Sequence, residues 1–154
     1  DKSDYTGSCF EETDRLLDEL RREAVKYIGN SFVSEKDYFY KYVGMRMEQC
    51  IILMRIFTDI KRLDGVTEQA EPISRFLEKT SDEFSEINDA VTLLADLDGL
   101  FEHYSEEMLP KSRDEFENRA LLYHILCDLK SFVTLKADFA AKLDENEKNR
   151  YWAA

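Results

Sequence analysis

The chain has two histidines, and each stands one helical turn before a carboxylate: His103 before Glu107, and His124 before Asp128. That spacing sets two ligands on one helix face, as a bound metal requires. A di-iron bundle site needs more, namely a Glu-x-x-His pair on each of two helices. Here Leu100 and Leu121 hold the positions three before the histidines. The motif is absent, so no metal or cofactor is expected, and the line Glu117, His124 and Asp128 reads as a polar helix face. The three cysteines, Cys9, Cys50 and Cys127, form no CxxC pair, and an odd, scattered set reads as reduced thiols. Cys50 and Cys127 lie among apolar residues, where a thiol stays protonated and inert. Glycine-rich phosphate loops, a GxSxG elbow and HExxH are all missing. With no residue set to carry catalysis, the chain is read as a non-enzyme.

Polar groups on faces that should be dry offer more. Arg46 and Gln49 lie on an apolar side of their helix, and Asn118 and Arg119 pose the same problem on a later one. A guanidinium taken out of water must be paired. One solution is an internal network in which Arg46 and Arg119 reach glutamates on other helices, even a common glutamate. The other is an anion site: an arginine takes a ligand carboxylate while neighbouring rings hold an aromatic body. The run DYFYKYVGM, residues 37–45, places Tyr38, Phe39, Tyr40 and Tyr42 one or two turns before Arg46 and Gln49. The candidate ligand-binding residues are therefore Arg46, Gln49, Arg119 and Tyr42.

These side chains are positioned by helices. Five glycines and two prolines leave little turn chemistry for a β fold, and 44% hydrophobic with 35% charged residues suits a few long amphipathic elements. Ser8 with Glu11 opens a first helix that runs to a cap at Gly29. A second spans about Ser34 to Leu63 and stops at Asp64-Gly65; its polar stripe is Glu48, Arg55, Asp59 and Arg62, with apolar residues on most other sides. A short third helix starts near Thr67, with Pro72 in its first turn and Ile73, Phe76 and Leu77 inward, and residues 80–86 break it. The fourth carries Ile87, Val91, Leu94, Leu97, Phe101, Tyr104 and Met108, with Gly99 marking a close contact or a bend. The fifth starts at a Ser112–Glu115 capping box and runs to about Leu143, with Phe116, Leu122, Ile125, Leu129, Phe132, Val133 and Ala140 inward. The tail DENEKNRYWAA is expected to fray, with Tyr151 and Trp152 as its means of docking. The fold class is all-α, an antiparallel helical bundle of four long helices plus one short helix, forming a single domain over residues 1–154.

A net charge of −12 disfavours nucleic acid and anionic lipid as partners. The longest apolar run, CIILM at residues 50–54, falls far short of the roughly 20 residues of a membrane span. The sequence opens at Asp1 without a methionine, which is read as a piece of a longer protein.

The stretch LPKSRDEFENRALLYHIL, residues 109–126, closely resembles the signature of the C-terminal domain of the bacterial putative aromatic acid exporters. The matching positions are Leu109, Pro110, Ser112, Arg113, Glu115, Phe116, Glu117, Asn118, Arg119 and Ala120, joined by Arg46 to Gln49 (RMEQ). The resemblance implies a membrane protein whose N-terminal half spans the bilayer, with this domain on the cytoplasmic face of the bacterial cell membrane. It also implies a first helix continuous with a transmembrane one. The implied role is non-catalytic: regulation or assembly of an exporter, including sensing of an aromatic carboxylate. The implied partners are the membrane-spanning half, further copies of the chain and an aromatic acid. The alternative is a free-standing acidic adaptor that binds a protein partner or a metal.

Overall fold

A computed structural model describes residues 8–28, 34–65 and 68–152. The described residues are all-α: α1 (Ser8–Ile28), α2 (Ser34–Arg62), a 3-10 turn (Glu68–Ala70), α3 (Glu71–Glu83), α4 (Val91–Glu106), α5 (Arg113–Lys142) and α6 (Glu145–Tyr151). The expected helices are there, with α6 in addition. The expected Ser8 and Gly29 caps and the start at Thr67 lie outside the residues or side chains described.

Neighbours run in the order α1, α2, α5, α4, α3. Phe10 of α1 meets Phe57 of α2 at 5.5 Å. The hydrogen bonds from α2 to α5 descend one helix as they climb the other, so the two are antiparallel. Gln49 Nε2 donates to the Phe132 carbonyl at 2.8 Å, Arg55 grips Asp128 with two bonds of 3.1 and 2.6 Å, and His124 Nδ1 lies 2.5 Å from Asp59 Oδ2. Lys130 to Asp98 ties α4 to α5, and Lys79 to Asp96 ties α4 to α3. The main core gathers Ile52 and Ile56 of α2, Ile73 and Phe76 of α3, Leu93 and Leu97 of α4, and Leu122 to Val133 of α5. A smaller core, Tyr38, Met45, Phe139 and Leu143, closes the end where α2 begins and α5 finishes.

Several sequence expectations are corrected. The polar stripe of α2 is the edge of the α2–α5 contact: Asp59 is buried, while the pairing arginines Arg55 and Arg62 reach outward along their stems. Phe116 is 60% exposed, because the first turn of α5 extends past the core. Ile87 and Val91 are exposed, since α4 begins only after Ala90, a left-handed residue at φ 63, and its inner face runs through Leu93 and Leu97. A Cβ at Gly99 would meet open space, so no helix contact demands that glycine. The tail folds: Asp144 and Glu147 form a reciprocal capping box that starts α6.

Asn118 is a polar group on a dry face whose partner is visible. Its Oδ1 accepts from Asp64 N at 2.9 Å and its Nδ2 donates to Asp64 O at 3.1 Å, so it holds the turn after α2, where Gly65 takes φ 80, against α5. Asn118→Ala leaves both backbone groups without this partner. It should lower unfolding free energy by about 1–2 kcal/mol in urea titration.

Candidate functional site

The smaller core at the α2–α5–α6 end brings together three of the four candidate ligand-binding residues. Arg46 Nε and Nη2 donate to Tyr42 Oη at 3.1 and 3.0 Å, and Arg46 Nη1 donates to Gln49 Oε1 at 3.1 Å. The guanidinium stands over the rings of Tyr42 and Phe84, 5.0 and 5.2 Å from their centroids. These are helix neighbours at i, i+3 and i, i+4, so α2 alone positions them. Gln49 is buried because its amide spans to α5.

Beside Arg46 lies a residue absent from the sequence-derived set. Lys136 is 0% exposed, and its Nζ donates to the Glu86 carbonyl. Around it stand Trp152 at 5.0 Å, Phe139 at 5.6 Å and Tyr42 at 5.9 Å. Burial, and then the Arg46 charge, pull its pKa down to about 8, against the opposing pull of Glu86. The signal in the sequence was position: Phe132, Val133, Phe139 and Ala140 flank Lys136 at three and four residues, which places it on the apolar stripe.

Tyr38 joins the elements. Its hydroxyl donates to Glu86 Oε1 at 3.0 Å and accepts from Trp152 Nε1 at 3.2 Å, while the Tyr151 ring stacks on it at 4.0 Å. Desolvation pushes the Tyr38 phenol up to about 12, so it stays protonated and donates. The arrangement is two cations, a neutral phenol and several aromatic faces, a set that can accept an anion attached to a flat ring.

Arg119 is elsewhere, near the start of α5. Nη1 donates to the Met108 carbonyl at 2.7 Å and pairs with Glu107 at 3.0 Å, and Nη2 reaches Glu115 at 2.7 Å, while Nε is buried without an acceptor among the described residues. Arg46 and Arg119 therefore share no glutamate. Of the 109–120 motif, Ser112 and Glu115 join Arg119 at this corner. Ser112 Oγ accepts from Glu115 N, and Glu115 Oε2 accepts from Lys111 N, one residue earlier than a capping box would have it. That N–H, followed by Arg119, holds the Glu115 carboxyl below the usual carboxylate range. Arg113 pairs with Glu117 on the surface. Leu109 beside Pro110, and Phe116, are left facing solvent.

Of the one-turn histidine pairs, His124 and Asp128 are each taken by a residue of α2, His124 by Asp59 and Asp128 by Arg55, whereas His103 Nε2 stands 3.8 Å from Glu107, whose other oxygen pairs with Arg119. Among the described residues no three His, Cys, Asp or Glu side chains gather as metal ligands. Cys50 is buried and Cys127 half-buried. No helix among the described residues is long and apolar enough to cross a membrane.

Comparison with known proteins adds the context. A family model described as "Putative aromatic acid exporter C-terminal domain" matches residues 1–137. The Bacillus subtilis (strain 168) protein YqjA, described as uncharacterized, is 26% identical over 138 residues. That alignment covers 90% of this chain and 43% of YqjA, so the chain spans less than half the length of that relative. No solved structure gives a significant match.

Proposed function

Since the chain belongs to the putative aromatic acid exporter C-terminal domain family, we propose that it is the non-catalytic, cytoplasmic regulatory domain of such an exporter and senses an aromatic carboxylate at Arg46. The observation that carries this reading is the company of Arg46. Its hydrogen bonds go to neutral groups, Tyr42 and Gln49, and its Cζ lies 5.0 and 5.2 Å from two ring centroids, so its charge is not matched by a bonded carboxylate among the described residues. A ligand carboxylate supplies that match, and Tyr42 and Phe84 supply ring contacts. Arg119, already paired with two glutamates, is the clamp of the α4–α5 corner. Assembly with a membrane-spanning half or further copies of the chain is the other part of the role. It draws support from Met108, Leu109 and Phe116, which are 75%, 86% and 60% exposed around the family motif.

A thermal-shift screen against benzoate and hydroxybenzoates tests the sensing. At hundredfold excess over its dissociation constant, a ligand of the folded form should raise the midpoint by about 5–10 °C. Arg46→Ala should abolish the rise, whereas Arg119→Ala should retain it on a lower baseline. No rise with any of these acids would end the sensing reading and leave an assembly module.

A further inference from the structure

Lys136 presents the same anomaly as Arg46 in a stronger form. In a chain of net charge −12, a fully buried ammonium bonds a backbone carbonyl, is faced by three rings, and feels the charges of both Arg46 and Glu86. A buried cation ordinarily carries a bonded counter-charge. Among the described residues the carboxylate that acts on Lys136 is that of Glu86, which is bonded instead to Tyr38, and Glu86 itself is exposed. Arg46 and Lys136 both approach the Tyr42 ring, so one carboxylate placed there meets two positive groups.

Access is closed by α6. Trp152 covers Lys136 at 5.0 Å, and α6 is held down by the Tyr151–Tyr38 stack and the Trp152–Tyr38 hydrogen bond. The same Tyr38 hydroxyl holds Glu86, whose carbonyl occupies Lys136. Cover and plug are thus fastened to one phenol. We infer that Lys136 is the second cation of the Arg46 site, and that α6 with Trp152 is a cover that lifts when an aromatic carboxylate takes Lys136 from the Glu86 carbonyl. This rests on the sensing reading above, which it extends by naming a second contact and a moving part.

Trp152 is the single tryptophan of the chain, so its emission reports the cover directly. The test is a benzoate titration by calorimetry and by tryptophan emission on the wild-type protein, with calorimetry on Trp152→Ala and Lys136→Met. Methionine keeps the bulk of the lysine stem and removes the charge. Lys136→Met should weaken benzoate about tenfold or more, the loss of one charge-assisted hydrogen bond. Trp152→Ala should bind about threefold more tightly, because the closed state no longer competes. Wild-type emission should shift to the red at saturation as the indole leaves its cover. Benzoate binding that Lys136→Met leaves unchanged would overturn the inference while sparing the role of Arg46. Emission that stays unmoved at saturation, or affinity that Trp152→Ala does not raise, would overturn the cover. Absence of binding to both wild type and Trp152→Ala would overturn the inference together with the sensing reading.

Discussion

Wild-type stability should climb by about 2 kcal/mol between about pH 7.5 and pH 9.5, and Lys136→Met should remove most of that climb. Lys136 has a folded-state pKa of about 8, against 10.5 when free. Below the lower value both states carry the proton, and the folded state bears the full cost of an ammonium shut away from water. Between the two values the unfolded chain keeps a proton that the folded chain has released, so raising the pH favours folding. Above the upper value both are neutral and the cost is gone. The full gap corresponds to about 3 kcal/mol. Two tyrosines act in the opposite direction but later. Desolvation raises Tyr38 and Tyr104 to about 12, so their stabilising effect is lost only as pH climbs beyond about 10. Urea titrations of both proteins at the two lower pH values therefore isolate the lysine. Parallel pH dependence in wild type and variant would mean that Lys136 keeps its proton throughout, as a solvated lysine does.

Leu126→Ala should cost about 3 kcal/mol and lower the thermal midpoint by roughly 6–12 °C. Leu126 is 0% exposed near the middle of α5 and belongs to the main core with Ile56 of α2 and Leu93 and Leu97 of α4. Four elements converge there, so surrounding side chains have little freedom to collapse into the space left. Leu109→Ala serves as the comparison. Leu109 is 86% exposed, and its loss should change stability by no more than about 0.5 kcal/mol. A small loss at Leu126 would show that the layer between α2 and α4 relaxes around the gap.

Legibility from sequence followed the range of the interactions. Helix lengths and the Ser112 start depend on neighbours three or four residues apart, and those were readable; so was the Tyr42–Arg46–Gln49 group, which one helix assembles by itself. Partners across helices were not. Asp59 and Asp128 read as solvated charges, and only the placement of α5 against α2 turns them inward to His124 and Arg55. Lys136 was overlooked because a lysine is normally credited to the surface, although its stripe position argued otherwise. Phe116 erred the other way: periodicity marks a face and cannot say where along the helix its partners end. The fold of the tail had a local signal, Asp144 with Glu147, outweighed by its polar composition.

The hydrogen bonds from α2 to α5 also decide how movement travels. Sliding α5 by one turn in one direction sets Arg55 against Phe132 and Asp59 against Asp128; the other direction sets Asp59 against Ala120. Either slip discards both charged side-chain pairs along the contact, so the pairing opposes shear and favours movement of the two helices as one beam. At 30 residues α5 is about 45 Å long. From Lys136 to Asn118 the lever is about 27 Å at 1.5 Å per residue, so tilting it by about ten degrees at the lysine swings the corner where Asn118 holds Asp64 by roughly 5 Å.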